Sequence, residues 1–213
     1  MEETALLPRL KTWVSEPNDF MKRIYQIFPK KRHNEFHRIN NTYSNFERFM
    51  LKNGRMMSKE TEHGYWGTTP LKDLITLFEA LDLDKAKNFC DLGSGDGRIA
   101  LTASLFNVKK VIGIESDPWL HRVSNHMKNH IDIDHFWKVK FRNDNFEKHN
   151  IKGYDYVYMS PDQPFHRGTE KKLKNEMGKG KLIVHSYEFL PESLKLLQTF
   201  SLNGEKFSVF CKE

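Results

Sequence analysis

Two cysteines in 213 residues, Cys90 and Cys211, are too few for a disulfide framework, and each stands in an apolar run that reads as a strand. They are expected to serve as small hydrophobes. Long apolar runs are missing too, since no segment approaches the roughly 20 residues that span a bilayer. The first thirty residues carry Glu2, Glu3, Glu16 and Asp19 and no signal-type apolar core. That argues against a secretory signal and against an acid-poor organellar targeting segment. The expectation is a soluble, intracellular, cytoplasmic chain without a membrane span. No internal repeat or low-complexity tract suggests a repeat architecture.

Positive charge is what the chain has in excess. A formal charge of +6 and a pI near 9.1 attract acidic partners, although Lys and Arg also solubilise surfaces. Residues 1–64 hold 12 of the 34 basic and 8 of the 28 acidic residues, a net of +4 against +2 for the rest. A nucleic-acid partner would therefore meet the basic N-terminal third, where "PKKRH" at 29–33 is the densest run. A second basic run, "EKKLKNEMGKGK" at 170–181, alternates with core positions and reads as a solvated helix face. The length suits one catalytic-sized domain and an appended element.

The appended element is read as residues 1–64, a small helical extension. "EPNDFMKRIYQIF" offers Asn18 or Asp19 as a cap and Phe20, Ile24, Ile27 and Phe28 at helical spacing, with Pro29 as the stop. "NNTYSNFERFMLKNG" repeats the logic, with Phe46, Phe49 and Met50 expected on one face and Asn53-Gly54 as the end. From residue 65 to 213 short apolar runs alternate with helical stretches. Strands are expected at 87–92, 110–114, 138–142, 154–159 and 181–186, and helices near 97–106, 118–130 and 168–177. The pattern implies an α/β doubly wound, mostly parallel sheet. Asn203-Gly204 between two β-like runs marks a tight hairpin, so the last strand is expected to run antiparallel.

"FCDLGSGDGRIALTASLF" sets Asp91, Gly93, Ser94, Gly95 and Gly97 at a strand-to-helix junction. Glycines there let the backbone turn and let a ligand approach main-chain N–H groups. The dinucleotide pattern G-x-G-x-x-G fails, because Arg98 stands three after Gly95. The spacing instead resembles D-x-G-x-G-x-G, the first motif of the seven-strand, Rossmann-like S-adenosylmethionine methyltransferases, and the resemblance covers residues 65–213. It implies S-adenosyl-L-methionine as cofactor and a seven-strand sheet. It also implies that Glu115, 24 residues after Asp91, accepts from the ribose hydroxyls. Asn143 or Asp144 would meet the adenine edge, Phe146 would flank the ring, and Met159 would border the donor. Asp117 and Pro118 read as the cap and first turn of the next helix.

"HGYWGTTPLKDLITLF" narrows the class. It resembles the Tyr-x-x-Thr-Pro segment of the seven-strand protein lysine methyltransferases: the archaeal broad-specificity enzymes, the mitochondrial enzymes acting on inner-membrane proteins and, distantly, the nucleosomal histone enzyme. That resemblance gives Tyr65, Thr68 and Thr69 the methionine end of the cofactor. Beyond the strand at 181–186, Ser186, Tyr187, Glu188 and Phe189 lie where open α/β sheets bind ligands. Tyr65, Trp66, Tyr187 and Phe189 are candidate channel walls, and Asp162 or Glu188 could orient an amine.

"MSPDQPF", at 159–165, resembles the polar-Pro-Pro-aromatic motif of enzymes that methylate base amines, but Asp162 and Gln163 part the prolines and move Phe165 by two positions. It is read instead as the rim of a lysine channel, with Ser160, Asp162 and Gln163 facing the acceptor. The catalytic candidates are thus Ser160, Asp162, Tyr187 and Glu188. His121, His126 and His130 include an i, i+4 pair but no third ligand, so no metal site is expected. The leading reading is a protein lysine N-methyltransferase with a protein substrate. RNA or DNA methylation, and a catalytically silent binding subunit, are the alternatives.

Overall fold

The computed structural model describes residues 30–62 and 64–213. The helix expected within residues 16–28 lies outside them. Helix α1 (Lys30–Lys52) is followed by a two-stranded antiparallel hairpin, β1 (Ser58–Thr61) and β2 (Gly64–Gly67). Then come α2 (Leu71–Ala80), β3 (Asn88–Leu92), α3 (Arg98–Ala103), β4 (Lys110–Glu115), α4 (Pro118–His130) and β5 (Val139–Asn143). The chain finishes with β6 (Tyr156–Met159), α5 (Arg167–Glu176), β7 (Lys181–His185), β8 (Lys195–Leu202) and β9 (Glu205–Cys211).

Seven strands form one sheet in the order β5-β4-β3-β6-β7-β9-β8. β3 to β7 pair in parallel, and β9 enters antiparallel between β7 and β8. The β8–β9 turn is made by Asn203 (φ 47°) and Gly204 (φ 90°), the left-handed pair that a two-residue hairpin demands. After β3 the chain goes to β4 and β5 on one side, then returns to β6 on the other. That reversal opens a crevice at the carboxyl ends of β3 and β6.

Alternation along the strands feeds two apolar clusters, one on each face of the sheet. Phe89, Val111, Ile183, Phe207 and Val209 join the first, with Leu74, Ile75 and Phe78 of α2. Cys90, Leu92, Ile112, Val157, Leu182 and Phe210 join the second. Cys90 is thus a buried hydrophobe, and burial pushes its thiol pKa up.

Helix α1 packs on the first cluster through Phe36, Ile39 and Tyr43, one stripe at helical spacing. Burying each such side chain stabilises by about 1.5–3 kcal/mol. One expectation about the N-terminal third fails here. Phe49 does not share the buried face with Met50: it is 62% exposed while Met50 is 4% exposed. The N-terminal helix expected there is present as α1, and the β1–β2 hairpin, which straddles residues 64 and 65, follows it. Among the described residues, no helix is long and apolar enough to cross a membrane.

Candidate functional site

The crevice holds a cavity of about 480 Å³ walled by the glycine loop, the ends of β4 and β6, the loop after β5, and the β1–β2 hairpin. Each wall follows from local sequence. Gly95 has φ +53°, and a Cβ there would come within 2.6 Å of the Trp66 indole. Only glycine lets the loop turn and the hairpin lie on it. Trp66 also meets Trp119 edge-to-face, with ring centroids 6.2 Å apart. Lys59, the cross-strand partner of Trp66, pins the same face of the hairpin through an ion pair to Asp117.

Asp117 caps α4 by accepting from the Trp119 and Leu120 N–H groups, both at 2.9 Å, and Pro118 opens the helix. Burial pushes the Asp117 carboxyl up, but the hydrogen bonds from Lys59 and the helix amides outweigh it and leave its pKa below the ordinary value. Glu115, at the end of β4, accepts from Gly95 N–H at 2.7 Å through Oε2 and from Asp117 N–H at 2.8 Å through Oε1. Burial raises its pKa, against the downward pull of those two amides. Each carboxylate oxygen keeps a second lone pair, so the group can still accept from a ribose hydroxyl.

Most expected cofactor residues reach this cavity. Tyr65, Thr69, Gly93, Ser94, Gly95, Glu115, Asp144 and Met159 line it. Asn143 does not: its amide donates to the Glu115 and Ser116 carbonyls at 2.8 and 2.9 Å and ties β5 to β4. Thr68 is absent from the lining, and Gly97 faces inward, where a Cβ would meet Phe141 at 2.6 Å. Asp91 lies beneath the loop, 1% exposed, and its carboxylate oxygens make no full hydrogen bond among the described residues, with only a weak pull from the Ala100 N–H. Burial, and then the charges of Glu115 and Asp96, hold its pKa well above the ordinary value.

The acceptor-side candidates divide. Ser160, Asp162 and Gln163 line the cavity. Asp162 accepts the Tyr65 backbone N–H, so its carboxylate latches the hairpin rather than standing free for an amine. Ser160 Oγ donates to the His185 carbonyl at 3.4 Å. Tyr187, Glu188 and Phe189 are not brought to the cavity. The Ser186 hydroxyl accepts the Glu188 and Phe189 N–H groups at 3.3 and 3.0 Å, which folds that loop on itself. Of the histidines on α4, His126 and His130 stack with centroids 3.7 Å apart, and His121 meets Asn125 at 3.0 Å.

Several site residues escaped sequence reasoning. His166 and Thr169, at the start of α5, meet each other at 3.1 Å and both contact Glu147 across the cavity. Behind the lining, His185 Nε2 lies 2.7 Å from Glu205, whose carboxylate can only accept, so Nδ1 is left to face the hydroxyl of the lining residue Thr69 at 3.4 Å. Asp96 and Arg98 line the cavity as well. The only signal for Arg98 was its misfit to the dinucleotide pattern.

Fold and cradle together are those of the class I, Rossmann-like methyltransferases, a class whose methyl donor is S-adenosyl-L-methionine. Within that class, residues 91–195 match the family described as "ANTKMT methyltransferase domain". An RNA methyltransferase from Salinibacter ruber, solved with S-adenosyl-L-homocysteine, is similar at 24% identity and a TM-score of 0.55, over 68% of this chain and 94% of that one. The tRNA (uracil-54, C5)-methyltransferase of Pyrococcus abyssi, also solved with S-adenosyl-L-homocysteine, aligns at 16% identity and a TM-score of 0.54, over 68% and 45%. A putative RNA methyltransferase from Pyrococcus horikoshii aligns at 19% identity and a TM-score of 0.51, over 67% and 81%. At these identities the likeness establishes the fold. No curated protein matches the sequence.

Proposed function

We propose that the protein is a protein lysine N-methyltransferase. The charge of the cavity carries this reading. Glu62, Glu115, Asp144, Glu147 and Asp162 all line it. Among the lysines and arginines of the described residues only Arg98 lines it, and that guanidinium is engaged with Asp96 and Glu47. Such a cavity attracts an ammonium group and repels a phosphate backbone. The family match over residues 91–195 points the same way.

When bound, the cofactor supplies a methyl group on a positively charged sulfur, an electrophile that needs alignment more than activation. Glu115 and the glycine loop would hold its sugar end, with Asp144 and Phe146 at the base. Trp66 and the hairpin exclude water from one side. The acidic rim gathers the acceptor in its ammonium form, and the apolar wall of Leu92, Ile114 and Met159 favours the neutral amine deeper in. The proton can leave to water, and no dedicated base is required.

RNA methylation is the second reading, favoured by the net charge of +4 on residues 1–64. One experiment separates the two. Cell extract is incubated with the protein and methyl-labelled cofactor, then treated with protease or with nuclease. The lysine reading expects label lost to protease and recovered on lysine side chains. Label that survives protease and is lost to nuclease overturns it.

A further inference from the structure

Arg98 sits at the start of α3, its side chain 5% exposed, and joins three segments that are far apart in sequence. Its Nε donates to both Asp96 carboxylate oxygens at 3.1 and 3.0 Å, and its Nη2 to Asp96 Oδ2 at 2.8 Å. Nη2 also donates to Glu47 Oε1 on α1 at 3.0 Å, and Nη1 to the Thr69 carbonyl at 3.3 Å. The guanidinium lies 4.8 Å from the Tyr43 ring centroid. Tyr43, also on α1, donates its hydroxyl to the Asp96 carbonyl at 2.8 Å. Helix α1 thus grips one loop residue at its side chain through Arg98 and at its backbone through Tyr43.

That residue is the one whose amide matters. Of the six amides from Gly93 to Arg98, five are engaged: Gly93 and Ser94 to Ile114 O, Gly95 to Glu115, Gly97 to Ser94 O and Arg98 to Asp96 Oδ1. The Asp96 amide has no acceptor among the described residues, and Asp96 lines the cavity. Its neighbours Gly95 and Gly97 have φ of +53° and +86°, so the loop's own sequence leaves this peptide freer to rotate than its neighbours. We propose that helix α1 is the brace of the cofactor cradle, with Arg98 and Tyr43 as positioning residues that hold the Asp96 amide as the loop's donor to S-adenosylmethionine. The N-terminal helix then sets cofactor affinity and has no part in gripping the methyl acceptor. The inference rests on the cofactor assignment and on no particular acceptor.

The test uses the full chain, calorimetric binding of S-adenosylmethionine, thermal melting and steady-state kinetics. Tyr43→Phe keeps the ring and removes one hydrogen bond, so cofactor Kd should rise about fivefold. Arg98→Lys loses the planar fork, and Kd should rise about tenfold or more. Glu47→Ala should weaken binding, while Glu47→Gln, which keeps an acceptor oxygen, should restore it to within about twofold. Across the series the cofactor KM should rise with the acceptor KM unchanged. A lowered melting temperature with unchanged cofactor Kd would overturn the proposal, as would a rise confined to the acceptor KM. Should Arg98→Lys fail to fold, Tyr43→Phe and the half-exposed Glu47 decide alone. No binding by the unmutated chain would overturn the cofactor assignment and the brace with it.

Discussion

The two ends of the cavity are built differently. At the cofactor end Gly95, Glu115 and Asp96 sit in or against strand ends, buried, and each is held by bonds within the protein. At the acceptor end Ser160, Asp162 and Gln163 are exposed and sit in one loop after β6. The first is a fixed cradle that the chain completes by itself. The second is an exposed rim on a single loop, and apart from Asp162, which latches the hairpin, it is the part that can change without disturbing the donor site.

The largest effect should come from closing the gap over the loop. Gly95→Ala would place a methyl in the left-handed region, at a φ of +53°, and 2.6 Å from the Trp66 indole. The backbone penalty and the displaced hairpin together are worth about 3 kcal/mol, or roughly a hundredfold in cofactor Kd. Calorimetry would check this, and a loss below about fivefold would mean that the cradle is no more rigid than the rim.

Asp162 tests the boundary between the two ends, because it belongs to the rim and holds the hairpin that covers the cradle. Asp162→Ala should lower turnover about tenfold and leave cofactor Kd within about threefold, as removal of one charge-assisted hydrogen bond predicts. Equal losses in both would show that the hairpin couples the ends into one unit.

Sequence legibility followed the same division. β3, the glycine loop, Glu115 and the Asp117 cap are visible because strand period, backbone sign and capping chemistry are local properties. The β1–β2 hairpin was missed because "SKETEHGYWG" has no apolar alternation. It is held by distant partners instead, Trp66 on Gly95 and Lys59 on Asp117. The Arg98 brace needs α1 to return to the loop over 51 residues, from Glu47 to Arg98, which no local pattern announces. Tyr187 and Glu188 were misplaced because position after a strand fixes only the end of the sheet, not the path of the loop.

Asp91 gives a smaller and opposite effect within the cradle. Its buried carboxyl has a raised pKa, so the folded state binds its proton more tightly than the unfolded chain does. The charge costs nothing at acid pH below the unfolded value of about 3.9, and its penalty grows as pH rises from there up to the folded value. Asp91→Asn should therefore stabilise the protein by about 1–2 kcal/mol at neutral pH, with the gain vanishing toward about pH 4. Denaturant unfolding of both proteins across that range measures it, and a gain that is flat with pH would assign the effect to packing.

The smallest effect is expected where the rim meets solvent. Tyr187 is 58% exposed, its carbonyl accepts only a long 3.5 Å contact from Lys206, and neither it nor Glu188 lines the cavity. Replacing either, as Tyr187→Ala or Glu188→Gln, should leave kcat and cofactor Kd within about twofold, as for surface changes that break no buried contact. A tenfold rise in acceptor KM with kcat kept would carry a different meaning. The acceptor would then dock over the end of β7 as well as enter the cavity, and the rim would extend to a surface that the cavity alone does not define.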